Sequence, residues 1–347
     1  MIGGEPNWWY GAASDGWQSR LLSPLGALFG AITSRRMRQA PTYRARVPVV
    51  CIGNFTAGGT GKTPVVAAVC ELLCAQGHTP VVLSRGYGGS VAGPRWVDPA
   101  VDGAARVGDE PLLLAARLSV LVSRNRALGG RAIDAAATPR ATVIVMDDGI
   151  QNPALAKDLT IAVVDAVRGL GNGACIPAGP LRASLKAQLP RVDAVLLNYG
   201  GDGANLHAST RAIFAGFQGA ILSATIEPAG GAGWLPGARV IAYAGIGVPA
   251  RFFATVEACG GVIANRVAFA DHHAFSDADA VRLMQLAEAK SAILLTTEKD
   301  HARLAGLTGA RAELRRASRT LPISLQLDAA SVARLTDLLQ QHAPLRR

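Results

Sequence analysis

The residues with the clearest chemical purpose are Gly58, Gly59, Thr60, Gly61, Lys62 and Thr63, in the run "CIGNFTAGGTGKTPVV". An apolar stretch, "VPVVCIG", precedes them and a helix-like "PVVAAVCELLCAQG" follows, the strand–loop–helix context of a Walker A phosphate loop. The glycines let backbone N–H groups converge on phosphate oxygens, and the helix N-terminus adds a positive dipole. Lys62 supplies a point charge, Thr63 offers a hydroxyl to Mg²⁺, and Pro64 fits the first helical turn. Where the motif normally begins with glycine this chain has Thr56, so the loop is expected to curve differently at its entry. The expected ligand is a nucleoside triphosphate held by Thr56 and by Gly58 through Thr63.

Such a site needs an acidic group at the end of a buried strand to hold the metal. "ATVIVMDDGIQN" offers Asp147 and Asp148, two adjacent carboxylates that repel one another unless a cation lies between them. An Asp-Asp-Gly surface turn is the other reading of the same residues. A kinase also needs a proton acceptor. "RVGDEPLLLAARL" presents Asp109 and Glu110 ahead of an amphipathic helix, as caps or as chemistry. "FADHHAFSDAD" places His272 and His273 on a loop after an apolar run, with Ser276 positioned to cap the next helix. A carboxylate from one domain and an imidazole from another could meet across a cleft that closes on substrate. A guanine-specific switch is disfavoured because "AVLLNYGGD" lacks the Asn-Lys-x-Asp signature, and a ParA-like membrane ATPase switch stands as the alternative, although "NFTAGGT" carries no second lysine.

These groups must be carried by strands and helices. With 347 residues the chain exceeds what one core usually supports, so two domains are expected. "VPVVCIG", "TPVVLS", "SVLVS", "ATVIVMDD", "LTIAVVDA" and "VDAVLLN" are continuous apolar runs, the pattern of a parallel sheet covered on both faces. They predict an α/β fold of P-loop type over 41–220, a mostly parallel sheet sandwiched by helices. A Gly/Pro-rich linker at 221–237 leads to a smaller α/β domain at 238–347, with strands in "ARVIAYAGIG", "GGVIANRVAF", "SAILLTTEKD" and "TLPISLQL". Residues 1–40 form a region of their own. Leu21, Leu22, Leu25, Leu28, Phe29 and Ile32 recur at helical spacing, with Arg35, Arg36 and Arg38 at the C-terminal end, Trp8, Trp9 and Trp17 before them, and Pro24 as a possible interruption. That helix either lies in the plane of an anionic membrane or docks on its own domain.

The formal net charge of +10 implies an anionic partner: nucleic acid, a membrane surface or a phosphorylated substrate. No apolar run approaches the roughly 20 residues that span a bilayer, and no signal peptide is evident, so a cytosolic location is expected. The five cysteines show no metal-ligand spacing and are expected as buried free thiols in a reducing compartment.

In order and spacing, "VCIGNFTAGGTGKTP", "LSRGYGG", "VGDEP", "VMDDGIQN", "GNGACIPAGPLR", "FADHHAFS" and "LLTTEKDHARL" resemble the tetraacyldisaccharide 4′-kinases, the inner-membrane lipid A kinases of Gram-negative bacteria. The resemblance implies ATP-dependent phosphorylation of the 4′-hydroxyl of an acylated glucosamine disaccharide 1-phosphate. It implies ATP and Mg²⁺ as cofactors, peripheral attachment to the cytoplasmic face of the inner membrane, no nucleic acid and no obligate protein partner. It also implies a short two-stranded hinge between the domains. The family's catalytic pair falls on Asp109 and His272, and Arg85, Tyr87 and Arg126 are substrate candidates by motif position. The family usually follows "GPLR" with Glu-Pro, whereas Arg182 here is followed by Ala183 and Ser184, which leaves Glu110 as the substitute metal ligand.

Overall fold

A computed structural model describes residues 6–10, 16–200 and 204–345. In chain order its strands are β1 (Val49–Gly53), β2 (Pro80–Ser84), β3 (Arg95–Trp96), β4 (Ser119–Val122), β5 (Val143–Asp147), β6 (Leu159–Asp165), β7 (Ala194–Asn198), β8 (Ala220–Pro228), β9 (Arg239–Ala244), β10 (Val262–Ala268), β11 (Ile293–Thr297), β12 (Ser318–Leu321) and β13 (Ile323–Leu327). They form a nine-stranded sheet, β13-β8-β7-β6-β1-β5-β2-β4-β3, and a four-stranded one, β10-β9-β11-β12. The seven inner strands of the large sheet are parallel, and only the edge strands β3 and β13 run antiparallel to their neighbours. All four strands of the small sheet are parallel.

The continuous apolar runs behave as double-sided burial requires: β1, β2, β5, β6 and β7 are buried along their whole length. On one face they meet Val65, Val66, Val69 and Leu73 of the helix Lys62–Ala75 and Leu335, Leu338 and Leu339 of the helix Ala329–His342. On the other they meet Phe55, Ile133, Leu155 and Phe214. The small sheet has its own two cores, around Tyr243 and Phe275 on one side and Phe252 and Phe253 on the other.

Three boundaries differ from the expectation. The stretch assigned to a linker contains β8, a full member of the large sheet beside β7. "TLPISLQL" is two strands in two sheets, because Pro322 has no N–H to continue a ladder: β12 ends in the small sheet and β13 begins antiparallel to β8. The C-terminal helix therefore returns to the large sheet, so residues 323–342 do not belong to the smaller domain. The chain crosses between the two bodies twice, and the crossings touch where the Ala229 amide donates to the Pro322 carbonyl at 2.8 Å.

The N-terminal helix, Trp17–Met37, runs unbroken through Pro24. It docks by its small-residue face. A Cβ on Gly26 would lie 2.6 Å from the Cys175 carbonyl oxygen, and one on Gly30 would lie 2.6 Å from the Cys175 sulfur. The opposite face is apolar and open, with Leu21, Leu25, Leu28 and Ile32 between 56% and 67% exposed. The cysteines correct the expectation in part: Cys51 and Cys70 are buried, Cys175 and Cys259 are half-buried, and Cys74 is exposed.

Leu339 tests whether the C-terminal helix belongs to the large core. Leu339→Ala should destabilise the protein by roughly 2–5 kcal/mol, read as a lower urea midpoint. An unshifted midpoint would place that helix outside the core.

Candidate active site

Because the inner strands are parallel, the loops that follow them open on one edge. β1 lies beside β5 with Ile52 opposite Asp147, so the glycine loop and the acidic pair are adjacent. Gly61 has φ 84°, and a Cβ there would come within 2.6 Å of Ile226 and 2.7 Å of Asn198. Only glycine delivers the chain into Lys62, the first residue of its helix, at this point. The loop is fixed from outside. Asn198 donates to the Thr60 carbonyl at 3.2 Å, Gln151 to the Asn54 carbonyl at 2.8 Å and Gln188 to the Phe55 carbonyl at 3.2 Å.

The unusual entry at Thr56 has a structural reason. Thr56 is buried and bridges to Leu181, and the Ala57 amide is spent on the Pro180 carbonyl at 2.7 Å. The segment carrying Arg182 braces the loop where a glycine would otherwise turn. Thr56 is thus a brace, and the open part of the cradle is Gly58 to Thr63.

Of the four expected metal ligands, the three acids separate. Asp148 has φ 55°, accepts Arg182 at 2.7 Å on both oxygens and lies 3.8 Å from the Lys62 ammonium. Burial works against its charge, but Lys62 and Arg182 outweigh it and hold the carboxyl well below the usual range. Glu110 is paired with Lys299 at 2.5 Å, so the acid proposed to replace the one absent at Ala183 is committed elsewhere. Asp147 differs. Ser84 reaches one oxygen at 3.3 Å, and the other is buried with no hydrogen-bond partner among the described residues. Burial first, then the charges of Glu110 and Asp148, push its carboxyl up to about 7. A lone buried carboxylate oxygen repelled by two acids is the donor a divalent cation satisfies, and Thr63 stands in the first turn of the adjacent helix. Among the described residues no group of three or more His, Cys, Asp or Glu forms a self-contained metal centre. A cation here would share its coordination with phosphate oxygens and water.

The second half of the site joins the two sheets. Gly108, at φ 93° with no room for a Cβ beside the Tyr87 carbonyl, starts the helix Asp109–Ala115 and points Asp109 inward. Its Oδ2 accepts His272 Nδ1 at 3.1 Å and Arg303 Nε and Nη2 at 2.8 and 2.6 Å. Among the described residues its Oδ1 accepts only the Glu110 amide, at 2.9 Å. Burial opposes the charge, but the His272 hydrogen bond and the cations Lys299 and Arg303 keep this carboxyl well below the ordinary range. His272 is raised by the same hydrogen bond. His273 faces the other way, stacked on Phe269 and 3.1 Å from Asp279, while Ser276 caps the next helix as expected and forms a capping box with Asp279.

Of the substrate candidates, Tyr87 is 62% exposed with its ring edge-on to His272 at 5.4 Å, and Arg85 is exposed on the same loop. Arg126 is corrected: it is 1% exposed and donates to the Ser123 carbonyl at 3.0 Å and the Asp147 carbonyl at 2.6 Å. It shapes the end of β5 from beneath rather than meeting a ligand.

The sequence model of tetraacyldisaccharide-1-P 4′-kinase matches residues 18–341. The chain belongs to this family. The tetraacyldisaccharide 4′-kinase of Bradyrhizobium sp. (strain ORS 278) is 48% identical over 331 residues, 95% of this chain and 96% of the relative. That of Nitrobacter hamburgensis is 50% identical over 302 residues, 86% of this chain and 87% of the relative. The solved structure of LpxK from Aquifex aeolicus in complex with ATP shares the fold, with a TM-score of 0.70 over 94% of this chain and 99% of that one at 24% identity.

Lys299, Arg303, Asn198, Gln151 and Gln188 also support the site, and sequence alone gave them no role. Lys299 and Arg303 had a legible signal. They are four residues apart on one helix face, two cations able to meet the neighbouring carboxylates of "GDE". The amides had none, because their partners are backbone carbonyls brought close only by the sheet order.

Asp147 yields a pH prediction. Its folded pKa lies above the unfolded one, so its ionisation weakens the metal-free fold as pH rises from about 4 through 7. Asp147→Asn should therefore raise the urea midpoint of the metal-free protein at pH 8, with the gain fading near pH 4.5. A variant less stable than the parent at pH 8 would show that this carboxylate is not repelled.

Proposed function

We infer that this protein transfers the γ-phosphoryl group of ATP to the 4′-hydroxyl of a tetraacylated glucosamine disaccharide 1-phosphate, giving lipid IVA in lipid A biosynthesis. The observation that carries the reading is the meeting of two half-sites: a glycine loop with Lys62 beside Asp147 on one sheet edge, and Asp109 with His272 where the second sheet edge faces it. Gly58 to Thr63 hold the triphosphate, with Lys62 set by Asp148 to neutralise charge as it builds on the transferred group. Thr63 and Asp147 would hold Mg²⁺, which supplies charge neutralisation across the phosphates when bound. Asp109 presents Oδ1 to the sugar hydroxyl. Three donors fill Oδ2, leaving an Oδ1 lone pair to orient that hydroxyl and take its proton. In a loose transition state the proton moves late, so a well-placed carboxylate of low basicity suffices. Tyr87 packs edge-on to His272 and Arg85 is exposed on the same loop, and we assign both to the disaccharide. The ParA-like switch has no use for a proton acceptor shared between domains.

We also propose that the protein works at the cytoplasmic face of the inner membrane, attached by the helix Trp17–Met37. Among the described residues no helix is long and apolar enough to cross a bilayer. The open stripe of Leu21, Leu25, Leu28, Phe29 and Ile32 suits shallow insertion. Arg35, Arg38, Lys186 and Arg191 line a cavity of about 680 Å³ beside that helix, a flank that suits anionic headgroups.

With γ-labelled ATP and acylated disaccharide 1-phosphate in detergent micelles, label should pass to lipid, and Lys62→Ala should lower kcat on the order of 10²- to 10³-fold. Label released as inorganic phosphate without lipid would favour the switch. Replacing Leu21, Leu25, Leu28 and Ile32 together by Gln should abolish co-sedimentation with phosphatidylglycerol vesicles while the circular dichroism spectrum stays unchanged. Retained binding would place the anchor elsewhere.

A further inference from the structure

We propose that Arg303 is a positioning residue for the phosphoryl transfer: it fixes the Asp109 carboxylate in its working orientation and makes that orientation depend on closure of the two domains. The inference rests on the reading of Asp109 as proton acceptor.

Arg303 is anchored before it reaches Asp109. Its Nη1 donates to the Gly245 carbonyl and to Asp300 Oδ1. Asp300 is buried and is itself held by the Gly245 amide at 3.1 Å and the Thr297 hydroxyl at 2.7 Å. Gly245 follows β9, and Thr297 ends β11, so the guanidinium is tied to two neighbouring strands of the small sheet. The opposite side of the same plane, Nε and Nη2, reaches across to Asp109 Oδ2. A lysine cannot serve these directions at once, because its ammonium is one point rather than a fork.

The effect on Asp109 is geometric. A carboxylate joined to the chain by rotatable bonds presents either oxygen to a substrate unless one is occupied. With Oδ2 accepting from both Arg303 nitrogens and from His272, Oδ1 is the oxygen left for the hydroxyl. Every one of those donors comes from the small domain, whereas the Oδ1 partner, the Glu110 amide, belongs to the large one. Four residues before Arg303 on the same helix, Lys299 grips Glu110 at 2.5 Å. The helix Glu298–Arg303 therefore holds both acids of "GDE", and separation of the domains would release both.

Chemical rescue tests this. Arg303→Ala should lower kcat on the order of 10²-fold while the Kd for ATP stays within about threefold, and free guanidinium ion should restore at least about tenfold of the rate. Arg303→Lys should be intermediate. Because the two residues act as a unit, adding Arg303→Ala to Asp109→Ala should slow the enzyme by less than about threefold further. A kcat for Arg303→Ala within threefold of the parent, a loss that guanidinium leaves untouched, or losses that multiply in the double variant would each overturn the proposal. If the alanine variant does not fold, Arg303→Lys and Arg303→Gln replace it, and parent-like kcat in both overturns the proposal equally. Parent-like kcat in Asp109→Ala would instead remove the proton-acceptor reading beneath it.

Discussion

A carboxylate that is 5% exposed keeps its charge only if cations replace the water it has lost, and for Asp109 those cations come from another sheet. The large domain supplies the acid on the first turn of the helix Asp109–Ala115, and the small domain supplies Arg303 and His272. Neither domain alone offers a satisfied arrangement. The charge of Asp109 is thereby compensated where the two domains meet.

Two parallel sheets make the encounter possible. Parallel strands send their C-terminal loops to one edge, so the large sheet delivers the phosphate loop, Ser84, Asp147 and Asn198 together, and the small sheet delivers Gly245, His272 and the helix carrying Arg303. The two crossings between the sheets are joined by one backbone hydrogen bond, from the Ala229 amide to the Pro322 carbonyl. Within the large sheet, charge is graded along the cleft. Asp148 is neutralised by Lys62 and Arg182 and Glu110 by Lys299, whereas Asp147 is left unneutralised, with its carboxyl pushed up to about 7 and one oxygen free. The chain thus satisfies the acids that position cations and leaves open the one suited to receive a metal.

The sequence disclosed what depends on local pattern. Continuous β-branched runs gave the parallel sheet and Gly-Lys-Thr between strand and helix gave the loop, whereas the opposed directions of His272 and His273 go with a left-handed turn at His272, φ 57°, that no local pattern announces. It concealed what depends on distant pairing. β8 lay hidden ahead of a Gly/Pro-rich stretch because it alternates buried and half-buried residues and ends in exposed Glu227 and Pro228, without a continuous apolar run, and "TLPISLQL" looked like one strand because composition does not register that Pro322 divides two sheets. Arg126 stood as a substrate candidate by motif position, since nothing local announces that its partners are the carbonyls of Ser123 and Asp147. The N-terminal helix docks on its own domain by glycines and a serine, one of the two readings of its pattern, and its leucines face outward.

The most direct test of the shared site is the side-chain ¹⁵N NMR titration of His272 in the full-length protein. A proton on Nδ1, a pKa above the ordinary 6.5 and a fall toward that value in Asp109→Asn are predicted, because the hydrogen bond to Asp109 is the main reason the imidazole is raised. A His272 that titrates at its ordinary value and ignores the Asp109 substitution would contradict the account.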